Sequence, residues 1–131
     1  MTRNVVISGG GTGIGLAAAR MFAEGGDRVV LVGRRREVLE RAGVSGAVAH
    51  AADVSDVEGV RGVARVVGEL GGVDVLVHAA GGNGGLEPGG PSSDPLDVVA
   101  HDWGVNFRAN TLTAVLLTEA LKDQLSSPGR V

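Results

Sequence analysis

Apolar positions along this chain fall into two alternating rhythms. Short unbroken apolar runs are each followed by a longer stretch of helical period, the pattern of an α/β sheet with parallel strands. Val5 to Ser8 reads as a first strand, covered on both faces because no polar residue interrupts its apolar run before the serine. A helix is expected from Gly13 to Glu24, stopped by Gly25-Gly26-Asp27, and a second strand from Arg28 to Val32. Arg35 to Arg41 predicts a short helix and Ala47 to Ala51 a weaker third strand. Ser55 and Glu58 have the spacing of a capping box at the start of a helix that runs to about Leu70 and stops at Gly71-Gly72. Val73 to Ala79 is the most apolar strand, the fourth. A Gly, Pro and Ser-rich loop covers Gly81 to Pro95, and a long helix with room for a kink runs from Asp102 to Gln124. Ser126-Ser127-Pro128-Gly129 reads as its stop, and Arg130-Val131 as the first step of a fifth strand. No repeat or second domain is visible, so residues 1–131 are expected to form one domain.

Composition narrows the function classes. A hydrophobic share of 44% excludes a disordered chain, and a net charge of -3 gives no electrostatic footprint for nucleic acid. Cysteine is absent, which removes disulfides, thiolate nucleophiles and zinc-thiolate sites and suits a reducing, cytoplasmic setting. No apolar run approaches a signal or membrane-spanning length. The acids Asp94 and Asp97 and the pair His101-Asp102 could be drawn as metal ligands. Their setting in a loop and helix start reads instead as helix caps and solvated faces, so no metal site is expected.

The candidate chemistry begins at Gly9-Gly10-Gly11-Thr12-Gly13-Ile14-Gly15, between a strand and a helix. Unpaired amides and the helix dipole make such a junction an anion site. A phosphate loop of the G-x-x-x-x-G-K type fails, because Leu16 stands where lysine is required. The dinucleotide pattern G-x-G-x-x-G fits only by starting at Gly13, too far into the helix. The spacing Gly9, Gly13, Gly15 describes the loop better, and it resembles the short-chain dehydrogenase/reductase family. Three further segments resemble that family in the same order. Asp53-Val54 is similar to its Asp-Val step beside the adenine ring. Val75-Leu76-Val77-His78-Ala79-Ala80-Gly81 resembles its V-L-V-N-N-A-G segment, with His78 and Ala79 in place of both asparagines. Trp103 and Asn110 match its W-x6-N helix.

The resemblance implies a Rossmann-like, doubly wound parallel sheet, here with strands ordered 3-2-1-4 and flanking helices, and hydride transfer between NAD(P)(H) and a carbonyl or alcohol substrate. It implies cofactor contacts at Gly9, Gly11, Thr12, Gly13, Ile14, Gly15, Asp53, Val54, Ala80 and Gly81, and a catalytic role for Asn110 in a water chain. For the choice of dinucleotide, an NAD site usually ends its second strand on a carboxylate. Gly33 stands there, followed by Arg34-Arg35-Arg36. Guanidinium groups pair with a 2′-phosphate, so Arg34 and then Arg35 favour NADP over NAD, with Arg36 read as a solvated helix start.

The family's acid/base is a tyrosine with a lysine four residues on, assisted by a serine. This chain contains no tyrosine, and Lys122 has no such partner. His78 reads as a packed or hydrogen-bonding residue rather than a substitute base. The 131 residues alone are therefore expected to bind cofactor without turnover. Three readings stay open: the N-terminal portion of a reductase, a half-protein needing a partner chain, and a non-catalytic NADP-binding module. With four strands, the fourth would be an unguarded apolar edge, so self-association or a complementing chain is expected there.

Overall fold

The computed structural model describes residues 2–82 and 93–131, so most of the loop predicted over Gly81 to Pro95 lies outside the described residues. The elements follow in the order β1 (Asn4–Ser8), α1 (Gly13–Glu24), β2 (Arg28–Gly33), α2 (Arg36–Arg41), β3 (Val48–Ala51), α3 (Val57–Glu69), β4 (Val73–His78), α4 (Pro95–Phe107), a π-helical turn (Arg108–Leu112), α5 (Thr113–Leu121), a 3-10 turn (Lys122–Gln124) and β5 (Leu125–Arg130). The five strands form one parallel sheet ordered β3-β2-β1-β4-β5.

β1 lies at the centre because Val5, Val6 and Ile7 are apolar on both faces, and all three are buried. Two cores result, one on each side of the sheet. Val6, Val30, Val32 and Leu76 pack against Val60, Val63 and Val67 of α3 and Leu117 and Leu121 of α5. On the other side Val5, Ile7, Val29 and Leu31 pack against Ala19 of α1 and Leu39 of α2.

Four expectations change. The most consequential is the fifth strand, which is present: β5 pairs with β4, matching Val73 to Leu125 and Val75 to Arg130 across an irregular register. β4 is therefore bonded on both sides and is not the open apolar edge on which the expected association rested. Ser-Ser-Pro-Gly read as a helix stop because Pro128 lacks an N–H to donate. That residue is tolerated on an outer strand, which is where β5 lies. The capping box also fails. Asp56, not Ser55, is the N-cap of α3, and Ser55 turns its N–H and hydroxyl to Asp53. The long helix begins earlier, at Pro95, where the proline occupies the first turn and Asp94 caps it by accepting from Leu96 N–H at 2.8 Å. The same helix is interrupted at its centre by the π-helical turn.

Candidate functional site

A cleft of about 560 Å³ opens at the C-terminal ends of the strands, where the order reverses between β1 and β4. Its floor is the glycine loop. Gly9 has φ +66°, and a Cβ there would lie 2.5 Å from the Ala79 carbonyl oxygen, so only glycine lets β1 and the exit of β4 approach so closely. Gly15 packs against the Gly9 carbonyl with no room for a Cβ, and one at Gly11 would lie 2.9 Å from Val38 Cγ1. Gly13, at φ +52°, meets open space. These glycines therefore serve close packing at three positions and backbone direction at the fourth.

The loop leaves donors available. Leu16 N–H makes the first helical bond, to the Thr12 carbonyl at 3.1 Å, so the amides of Gly13, Ile14 and Gly15 precede the ladder. Thr12 is the N-cap, but its side chain caps none of them, and no acidic residue stands in the first turn. A helix start with uncapped amides and no local carboxylate fits an anionic group. Gly9, Gly11 and Thr12 line the cleft; Gly13, Ile14 and Gly15 do not, and the Ile14 side chain is 84% exposed.

The walls come from three other strand ends. Gly33, Arg34 and Arg35 follow β2, and Ala52, Asp53, Val54 and Ser55 follow β3. Arg36 takes no part; it faces Glu40 one helical turn on, at 3.8 Å. Asp53 Oδ1 accepts from Ser55 N–H at 2.9 Å and from Ser55 Oγ at 2.6 Å. The Ser55 hydroxyl holds the Asp53 carboxyl below its usual range against the opposing effect of burial, and the charges of Arg34 and Arg108 act the same way. Val54 is buried in the core below.

The third wall is the exit of β4, and Asn110 fixes it. Its Oδ1 accepts from Gly82 N–H at 3.0 Å, while Nδ2 donates to the Gly82 carbonyl at 2.8 Å and to Asn106 O at 3.0 Å. Gly81 lies so close beneath that a Cβ on it would overlap Asn110 Oδ1. Ser8 supports the same segment from below: its Oγ accepts from Ala80 N–H at 3.3 Å. Ala80 and Gly81 both line the cleft.

His78 does not line the cleft. Its Nε2 lies 2.8 Å from Thr118 Oγ1, while buried Nδ1 has no partner among the described residues, and burial lowers its pKa. His50 is likewise lowered, by burial first and then by the charges of Arg36 and Arg65. Among the described residues no group of three or more His, Asp or Glu is placed to hold a metal, and no helix is long and apolar enough to cross a membrane.

Sequence reasoning missed the side of the cleft built by Val105, Arg108, Ala109 and Thr113. Their spacing along one face of a helix was a usable signal, but the predicted long helix had no assigned orientation.

A parallel sheet with a glycine-loop cradle at its switch point defines a Rossmann-like nucleotide-binding fold. The short chain dehydrogenase profile matches residues 3–131, and the chain belongs to that family, whose members are oxidoreductases that bind NAD(P). It is 44% identical over 87 residues to an uncharacterized oxidoreductase of Mycobacterium tuberculosis, covering 59% of this chain and 26% of the relative. It is 31% identical over 116 residues to an uncharacterized oxidoreductase of Bacillus subtilis, covering 85% of this chain and 41% of that protein. Among solved structures, L-sorbose reductase from Gluconobacter frateurii, complexed with NADPH and L-sorbose, aligns with TM-score 0.75 at 28% identity, over 97% of this chain and 49% of the reductase. A short-chain dehydrogenase from Streptomyces avermitilis aligns with TM-score 0.76 at 27% identity, over 95% and 45%. The chain thus spans less than half the length of each of these four relatives.

Proposed function

We propose that residues 1–131 form one nucleotide-binding domain that holds NADP(H), in preference to NAD(H), as part of an oxidoreductase acting on a small carbonyl or alcohol. The observation that carries this is the end of β2. Gly33, Arg34 and Arg35 line the cleft where an NAD site would present a carboxylate, and neither guanidinium makes a hydrogen bond or ion pair among the described residues. The NADPH bound by L-sorbose reductase is support by likeness of fold and family.

The nicotinamide cofactor supplies or takes up a hydride when bound; this chain's residues bind and orient. The uncapped amides of Gly13, Ile14 and Gly15 at the start of α1, beside the cleft-lining Gly9, Gly11 and Thr12, would hold the pyrophosphate, helped by the α1 dipole. Arg34, and then Arg35, pair with the 2′-phosphate through charge-assisted hydrogen bonds. Asp53 and Val54 border the adenine, with Asp53 kept ionised by Ser55 and the nearby guanidiniums. Ala80 and Gly81 line the path of the dinucleotide beside β4. Asn110 acts as a positioning residue, since its side-chain bonds hold that path in place.

The tyrosine that the family uses as its acid is absent from these 131 residues, and no histidine or lysine lines the cleft among the described residues. The 131 residues therefore bind cofactor without turnover on their own. Titration of the Arg34→Asp variant with NADPH and NADH tests the cofactor assignment. NADPH affinity is expected to fall roughly thirtyfold, the worth of about 2 kcal/mol, with NADH much less affected. Equal losses for both would refute it.

A further inference from the structure

The cleft holds a third guanidinium that the glycine-loop motif does not account for. Arg108 opens the π-helical turn after α4. Val105, Arg108, Ala109 and Thr113 follow one another at intervals of three, one and four residues, which places them on one helical face, and all four line the cleft. Trp103 and Phe107 belong to another face and stand exposed to solvent. Arg34 enters from the end of β2 and Arg108 from the helix after β4, two strands on opposite sides of β1.

Arg108 is exposed, and like that of Arg34 its guanidinium makes no hydrogen bond or ion pair among the described residues, though the charges of both are felt at Asp53. By contrast Arg3, Arg36 and Arg61 all face a carboxylate. Asp53 is the only acidic residue lining the cleft among the described residues, against Arg34, Arg35 and Arg108. Its carboxylate is also engaged by Ser55. Three cations against one acid leave the lining with an excess of two positive charges, and a dianionic phosphate would balance it.

We propose that Arg108 is a determinant of dinucleotide choice, forming with Arg34 a two-sided cationic clamp for the 2′-phosphate on the cofactor's adenosine ribose. This rests on the NADP reading above and extends it, because the selecting charge then comes from both walls and not from the end of β2 alone. Arg108 is a binding residue in this account and takes no part in proton or hydride transfer.

The test is calorimetric titration of the 131-residue chain with adenosine 2′,5′-bisphosphate and with 5′-AMP, which differ only in the 2′-phosphate. Wild type, Arg108→Met, Arg108→Lys and Arg34→Met are compared, and thermal melts confirm that each is folded. Arg108→Met is expected to weaken the bisphosphate roughly tenfold and 5′-AMP less than about twofold, with Arg108→Lys retaining most of the affinity as a point charge. If Arg108→Met leaves the bisphosphate unchanged, or weakens both ligands equally, while Arg34→Met still discriminates, the clamp is refuted and the NADP reading survives. If wild type itself does not prefer the bisphosphate, the NADP reading fails and the clamp with it.

Discussion

Asn110 and Gly82 exchange two hydrogen bonds, Gly82 N–H to Oδ1 at 3.0 Å and Nδ2 to the Gly82 carbonyl at 2.8 Å. The side-chain amide thus engages both backbone groups of one residue, as the facing residue of an antiparallel strand would. It pins the exit of β4 to the π-helical turn and so sets the position of one cleft wall. Asn110→Leu is expected to lower stability by about 1–2 kcal/mol and to weaken dinucleotide binding several-fold. Melting curves and NADPH titration check both. Unchanged binding would mean that the β4 exit holds its shape without the clamp.

Two glycines of the same loop separate close packing from backbone direction. Gly9→Ala would combine a left-handed φ with a collision against Ala79, and is expected to cost about 3 kcal/mol or more. Gly13→Ala meets open space and carries only the conformational penalty, about 1 kcal/mol. Urea denaturation of the two variants measures the difference, and equal losses would contradict the close approach of β1 and β4.

Acid is expected to lower stability in two stages. His50 and His78 have folded pKa values below the usual one, so the unfolded chain binds more protons and stability falls as pH drops through about 6.5. Asp27, Asp53 and Asp74 are also lowered, the first by its hydrogen bond with Arg3 and the last by Asn4 N–H and then Ser126. Their contribution is present above the usual aspartate pKa and is lost as pH falls below about 4. His78→Gln should reduce the upper stage and leave the lower one intact, as read from denaturation midpoints across pH.

The outer face of α4 carries Leu96, Val99, Trp103 and Phe107, all exposed, and no residue of α4 is buried. Trp103 is the only tryptophan, so its fluorescence reports on that face alone. Acrylamide is expected to quench it nearly as efficiently as free indole. Strong shielding would show that the apolar stripe is covered in solution.

The cradle was legible in the sequence because its constraints are local. Glycines between a strand and a helix announce a backbone junction, and Arg34-Arg35 at the end of β2 announce its charge. β5 was not legible, since Ser-Ser-Pro-Gly has turn chemistry and becomes a strand only by pairing with β4. Ser55 shows the same limit: its spacing to Glu58 suits a cap, yet Asp53 lies closer and takes both donors. Arg108 escaped notice because a helix's facing depends on what packs beneath it. The roles of Asn110 and Ser8 in fixing the β4 exit likewise depend on contacts between distant segments.

The central claim is that this cleft prefers the phosphorylated dinucleotide. The direct measurement is the dissociation constant of the wild-type chain for NADPH and for NADH, in one buffer at low ionic strength. NADPH is expected to bind at least about tenfold more tightly. Equal affinities, or a preference for NADH, would contradict it.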